Sequence, residues 1–496
     1  MLFNSYPFLF VFLPVVVIVY FGLGRLNRAW AAAWLALASL IFYGYWSVKY
    51  VPLLLGSVAF NFLCGRALSR RAQSTRGRAL LIASTAANLL LLGFYKYADF
   101  FLASLNGIAG TRLPMLAIVL PIGISFFTFT QIAFLVDSYR GSAREYSFIH
   151  YLLFASYFPH LIAGPILHHS EIMPQFQSSA PYRFSSRSFA MGMTILTIGL
   201  AKKVLIADHF GIIATPIFDA ARAGTSIPLL SAWAGVFAYS FQLYFDFSGY
   251  TDMAIGISKL LGVDLPINFL SPYKSASIIE FWQRWHMTLS RFLRDYLYFP
   301  LGGNRKGAFR RYLNLMITML LGGLWHGANY TFVVWGGLHG AFLVINHAWR
   351  TAVGRSIKVE VVHGPRIAWP IMAARVTTFL CVSVAWVFFR SNDLGTASNL
   401  LRAMMGSAGL LLEARGVTQP LLVRSDPEVI LAFLAAGILV WAMPNTSEIG
   451  ERLERAFSSP AAEVFYRRVV PATAGVMLAL ALMDMRRISP FLYFQF

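Results

Sequence analysis

The sequence predicts an all-α fold: a polytopic bundle of about 10–12 transmembrane helices, with re-entrant and amphipathic helices set between the spans. Composition is the first observation. Of 496 residues, 57% are hydrophobic, 16% aromatic and only 12% charged, where a soluble domain carries about 25% charged residues. The second is the recurrence of apolar runs near 6–23, 29–46, 50–64, 79–97, 113–136, 189–206, 228–247, 330–349, 370–389, 428–443 and 470–484. Each approaches the roughly 20 residues that a spanning helix needs. Lipid offers no water to backbone N–H and C=O groups, so only helices or closed barrels cross it, and runs this long exclude strands. The third is charge placement: 41 basic against 21 acidic residues, a formal net charge of +20, gathered between the runs.

The first run follows seven residues, none of them basic, and no small-residue cleavage site is evident, so it is expected to be a retained span. Loop 65–78 then holds Arg66, Arg70, Arg71, Arg76 and Arg78. Further clusters are Arg25/Arg28, Arg140/Arg144, Arg305/Lys306/Arg310/Arg311, Arg350/Arg355/Lys358 and Arg452/Arg455/Arg467/Arg468. Short loops rich in Arg and Lys stay in the cytoplasm. Starting from an outside N-terminus puts every cluster inside and both termini in the periplasm. The basic residues form no single face, which argues against nucleic acid as a partner. Cys64 and Cys381 sit far apart in apolar segments and suggest neither a disulfide framework nor a metal cluster. There is no repeat, low-complexity tract or long hydrophilic stretch, so residues 1–496 are expected to form a single membrane-embedded domain.

Two regions depart from simple spans. In YFPHLIAGPILHHSEIMPQF (157–176), Pro159, Gly164, Pro165 and Pro174 forbid a continuous helix. Irregular backbone survives at membrane depth only where protein or a water-filled cavity surrounds it. In SIIEFWQRWHMTLSRFLRDYLYFP (277–300), Ile278, Trp282, Trp285, His286, Leu289, Phe292, Leu293 and Tyr296 fall on one helical stripe. Glu280, Gln283, Arg284, Arg291, Arg294 and Asp295 fall largely on the other. The spacing predicts one amphipathic helix along an interface or cavity wall, ended by Pro300 and GGNRKG. Segment 311–325 then re-enters the membrane and reaches His326 after roughly 22 Å of helix.

Ionisable groups within a membrane point to function, because burying them unpaired costs several kcal/mol. His326 is the leading candidate. The alternative is a neutral histidine tying two helices, and Gly322, Gly323 and Gly327 favour the functional reading because they allow close approach of a backbone or substrate. His286 faces the apolar stripe and, taken alone, reads as a packing residue, while His339 and His347 read as structural. Zinc is not expected, since no H-x-x-x-H or H-E-x-x-H pair occurs.

The blocks FDFSGYTDMAIG (245–256), NFLSPYKSASIIEFWQRWHMTLSRFLRDYLYFPLGGNR (268–305) and LGGLWHGANYTFVVWGGLHG (321–340) resemble the membrane-bound O-acyltransferase family, in its branch of bacterial alginate O-acetylases. LPIGISFFTFTQ (120–131), PHLIAGPILHHSEIMPQF (159–176) and PFLYFQF (490–496) match the same branch in the same order. The resemblance implies that His326 is the catalytic histidine and that His286 fills the second polar site. It also implies acetyl-CoA as acyl donor, with no bound cofactor or metal, and a bacterial inner-membrane location. The acyl group would pass to an exported polysaccharide such as alginate through periplasmic acetyl-transfer partner proteins. The residue chemistry agrees: O-acylation needs a base for the hydroxyl proton, and an apolar cavity keeps a histidine neutral. His286 would then orient His326 or polarise the carbonyl. Two other readings are a cell-wall O-acyltransferase fed by a carrier protein and a polytopic transporter or flippase, the latter weakened by the lack of a repeat.

Overall fold

The computed structural model describes residues 1–144, 147–162, 164–353, 369–406, 427–456, 468–485 and 491–492. Arg355, Lys358, Arg467 and most of the PFLYFQF block lie outside these residues. Among the described residues every regular element is helical and there is no strand. Six helices are long and apolar enough to cross a membrane: Phe8–Leu26, Arg28–Trp46, Val48–Ser69, Thr75–Ala109, Ser186–Arg222 and Trp369–Arg390. The pair Pro427–Trp441 and Thr446–Ala456, bent by 56°, makes a seventh if it is one broken span. Helices Leu229–Leu260 and Tyr330–Ala352 are as long but bury polar side chains, among them Ser240, Asp246, Thr251, Thr331 and His339. Those residues lower their apolarity, so composition marks fewer spans than the runs in the sequence. The chain is a multi-pass helical membrane protein.

One predicted span is corrected. Run 113–136 is helical only from Ile124, in Ile124–Arg140, and residues 110–121 are non-helical. Side chains on the preceding helix satisfy the freed backbone. Asp99 accepts from the N–H groups of Leu116 at 2.7 Å and Ile118 at 3.1 Å, and Asn106 exchanges two 2.9 Å bonds with Leu113. Pro114 and Pro121 could not have donated in a helix there. Region 157–176 is broken, into Phe158–Leu161 and His169–Gln177, with the break at Gly164 and Pro165 as expected, whereas Pro159 and Pro174 are accommodated inside the two helices. Tyr157 to Leu161 are all buried, so protein surrounds the irregular backbone.

The chain divides into two compact units. The first comprises Met1–Leu205, Phe247–Ile267 and Thr446–Gln495. Within it, helix Ser186–Ala201 crosses the far half of Leu229–Leu260 on glycines: a Cβ at Gly199 would lie 2.6 Å from the Gly249 carbonyl oxygen. In lipid such small residues let backbones approach. A π-helical turn, Lys202–Ala207, follows. Lys202 Nζ donates to Asp252 Oδ2 at 2.6 Å and to Thr446 Oγ1 at 2.8 Å, and Thr446 Oγ1 donates to the same carboxylate oxygen at 2.6 Å. The second unit, Ile206–Asp246 with Asn268–Asn445, holds both site histidines.

Candidate active site

The turn before His326 is built on glycines at positive φ: Gly302 (108°), Gly303 (56°) and Gly307 (83°). Asn314 Nδ2 ties it down through the Gly303 carbonyl at 2.9 Å. Helix Gly307–His326 then runs 20 residues and ends on His326 itself. The next helix, Tyr330–Ala352, starts after three intervening residues, capped by Asn329, whose Oδ1 accepts from the Thr331 N–H at 3.0 Å. The two helices meet at Gly323 and Gly336. A Cβ at Gly323 would overlap the Phe332 carbonyl, and one at Gly336 the Met319 carbonyl. A Cβ at Gly327 would overlap the Phe332 ring. The glycines that favoured function in the sequence thus serve, at Gly323 and Gly327, the close approach of protein to protein.

His326 is 5% exposed and surrounded by rings. Its centroid lies 4.9 Å from Trp325, 5.0 Å from Trp335 at 87°, and 5.2 Å from Phe389 at 70°. Trp335 in turn stacks on Trp386 at 5.7 Å and lies 4.8 Å from His339. His339 is fully buried and accepts from Trp282 Nε1 through Nδ1 at 3.3 Å. That bond agrees with its structural reading.

The predicted continuous amphipathic helix is corrected. Its stripe is right up to Leu293: Ile278, Trp282, Trp285, His286, Leu289, Phe292 and Leu293 are all buried, whereas Tyr296 is only half-buried. The helix nevertheless breaks into Ile278–Arg284 and Met287–Leu293, followed by a π turn, Arg294–Tyr298. Trp285 is extended (ψ 126°), and His286 sits in the left-handed region at φ 44°, ψ 53°. A non-glycine residue there costs about 1–3 kcal/mol, and such strain gathers at functional sites. A buried partner outside the stripe holds the break. The Met287 N–H donates to the Asn268 carbonyl at 2.9 Å, and His286 Nδ1 lies 3.1 Å from Asn268 Oδ1. The same Oδ1 accepts from Thr288 N at 3.2 Å and Thr288 Oγ1 at 2.9 Å. Burial pushes the His286 imidazole down to about 3, so it is neutral at neutral pH.

The structure therefore brings both predicted histidines against one indole, Trp325, at 6.3 Å and 4.9 Å. Sequence reasoning missed Asn268 and Thr288, although both lie in quoted blocks. A lone polar residue flanked by Ile267 and Phe269 was the available signal. Phe389 and Trp386, from helix Trp369–Arg390, carried no signal because their register against His326 is purely tertiary. Among the described residues no group of three or more His, Cys, Asp or Glu side chains could hold a metal ion.

The family profile described as MBOAT, membrane-bound O-acyltransferase family, matches residues 95–384, which include both histidines and all these rings except Trp386 and Phe389. The chain belongs to the membrane-bound O-acyltransferase family. It is 44% identical to the peptidoglycan O-acetyltransferase of Helicobacter pylori, over 83% of this chain and 81% of the relative. It is 41% identical to the probable alginate O-acetylase of Pseudomonas aeruginosa, over 82% of this chain and 75% of the relative. A teichoic acid D-alanyltransferase of Streptococcus thermophilus is 29% identical over 55% of this chain and 69% of its own length. The protein is an O-acyltransferase, which sets aside the transporter reading.

Proposed function

We propose that this membrane-bound O-acyltransferase moves an acetyl group from acetyl-CoA, on the cytoplasmic side of a bacterial inner membrane, towards hydroxyls of an exported polysaccharide such as alginate or peptidoglycan. His326 is the general base. The observation that carries the reading is its place: the last residue of a 20-residue helix, buried among aromatic rings, inside the span matched by the family profile. As the hydroxyl oxygen attacks the thioester carbonyl, His326 takes its proton; the C–S bond breaks, the ester forms, and the proton leaves with the thiol. The imidazolium formed on the way is favoured by the carbonyl end of its helix, an effect of about 0.3–1 kcal/mol. The surrounding rings exclude water and so protect the thioester from hydrolysis. Arg305 and Lys306, in the turn before this helix, and Arg310 and Arg311, in its first turns, supply positive charge for the phosphates of coenzyme A. The acceptor side is periplasmic, where partner proteins complete transfer to the glycan.

The relatives named as O-acetyltransferase and O-acetylase support acetyl as the group and a glycan as acceptor. The D-alanyltransferase relative supports the second reading, a cell-wall enzyme, with a carrier protein as its donor. Inverted membrane vesicles supplied with acetyl-labelled acetyl-CoA distinguish them. The proposal expects alkali-labile label on glycan or on a periplasmic partner. Transfer only from a carrier-protein thioester would establish the second reading instead.

A further inference from the structure

We infer that Asn268 is a positioning residue for acyl transfer: it fixes the proton of His286 on Nδ1 and so makes Nε2 a hydrogen-bond acceptor. The inference deepens the acyl-transfer reading and rests on it for the role of His286, though not for the tautomer. Asn268 is fully buried. Within reach of its Oδ1 lie the Thr288 backbone nitrogen at 3.2 Å, Thr288 Oγ1 at 2.9 Å and His286 Nδ1 at 3.1 Å. A backbone N–H only donates, so the amide atom facing it is the oxygen, and the orientation of the amide follows from chemistry. Opposite an oxygen acceptor, a neutral imidazole must carry its hydrogen on Nδ1. The lone pair is then on Nε2.

The backbone points the same way. The Asn268 carbonyl accepts from the Met287 N–H at 2.9 Å, so one residue holds the chain immediately after His286 and the ring of His286 at once. This brackets the one strained position of the segment, φ 44° at His286. An asparagine used merely to join helices would engage both ends of its amide. Here the oxygen is engaged three times, whereas Nδ2 is buried and has no partner among the described residues.

The consequence is chemical. A neutral imidazole with its hydrogen committed to Asn268 cannot donate a second one to a thioester carbonyl. Of the two roles open to His286, carbonyl polarisation is excluded. The acceptor role stands: Nε2 receives an O–H or N–H and aligns it with the reacting groups.

The test is nitrogen NMR on the full chain in detergent, labelled with 15N-histidine, with His286 assigned by comparison with His286→Gln. Protonated and unprotonated ring nitrogens differ widely in shift, so the tautomer is read without reference to activity. The expected result is Nδ1 protonated and Nε2 unprotonated in the native chain, and a mixed pattern in Asn268→Leu. Acyl transfer by Asn268→Leu should fall by about 10-fold or more, as losing the right tautomer does elsewhere. Asn268→Asp, which keeps an acceptor oxygen, should restore both the pattern and most of the rate. A native chain protonated on Nε2 would overturn the inference even if no variant folds, and so would an Asn268→Leu chain unchanged in pattern and rate. A native chain with the expected tautomer but no transfer from any thioester would overturn the acyl-transfer reading while supporting the tautomer.

Discussion

Replacing His286 by alanine, glycine and asparagine separates the broken backbone from the side chain it carries. Alanine and glycine lose the same buried ring and the same bond to Asn268 Oδ1, which keeps its two Thr288 donors in either case. What differs is backbone. At φ 44° the alanine Cβ costs roughly 1–2 kcal/mol relative to glycine. His286 is also the N-cap of Met287–Leu293, a position where alanine is about 0.5–2 kcal/mol worse than asparagine and glycine only a few tenths worse. Opposing these, glycine loses about 0.4–1 kcal/mol more chain entropy on folding. The balance leaves His286→Gly more stable than His286→Ala by about 1–2 kcal/mol. His286→Asn should be the most stable of the three, because asparagine tolerates the left-handed region and caps well. Equilibrium denaturant titration of the detergent-solubilised variants, followed by tryptophan fluorescence, measures the order. In a continuous helix glycine is the worse residue by about 0.8–1 kcal/mol. Alanine more stable than glycine by that amount would mean that the chain runs helically through Trp285 and His286, and would refute the broken geometry and the clamp by Asn268.

Three further outcomes follow from the packing. Gly336→Ala drives a Cβ into the Met319 carbonyl and should cost about 1–3 kcal/mol of stability, whereas Gly337→Ala, whose Cβ would meet only a Leu320 methyl at 3.6 Å, should be nearly neutral; the same titration compares them. Lys202→Met leaves the Asp252 carboxylate without its cation, so it should lower stability by about 1–3 kcal/mol, and adding Asp252→Leu should recover part of the loss in a double-mutant cycle. Equal stability of the single and double variants would show that the pair is not coupled. A cysteine at exposed Ser74 should resist an impermeant thiol reagent in intact cells and react in inverted vesicles; labelling from outside would reverse the proposed orientation.

The helical membrane class was legible because lipid imposes it on any chain with long apolar runs. The helix that leads to His326 was legible too, because the basic turn before it marks its start, but that the helix ends on His326 was not. The break at Trp285–His286 was not. The stripe through 278–293 keeps its period across the kink, and what causes the kink is Asn268, 18 residues away, together with a left-handed residue that no local pattern announces. Run 113–136 misled for a similar reason: its apolarity reads as a span, and side chains from elsewhere, Asp99 and Asn106 on the preceding helix and Tyr50 on the Val119 carbonyl, make the non-helical backbone affordable. The aromatic enclosure of His326 draws on Trp335 and Phe389 from two helices, and only tertiary packing, such as the Gly323–Gly336 contact on the Trp335 helix, sets their register.

The central claim, that His326 takes the hydroxyl proton during acyl transfer, is tested most directly by His326→Gln. Glutamine fills most of the space between Trp335 and Phe389 and can donate a hydrogen bond, but it cannot accept a proton at neutral pH. Single-turnover transfer from labelled acetyl-CoA, measured on native and variant protein with matched unfolding midpoints, isolates the chemical step. The account predicts a loss of about 10²–10⁴-fold with the fold intact; a variant that transfers at near the native rate would contradict it and leave His326 a structural residue.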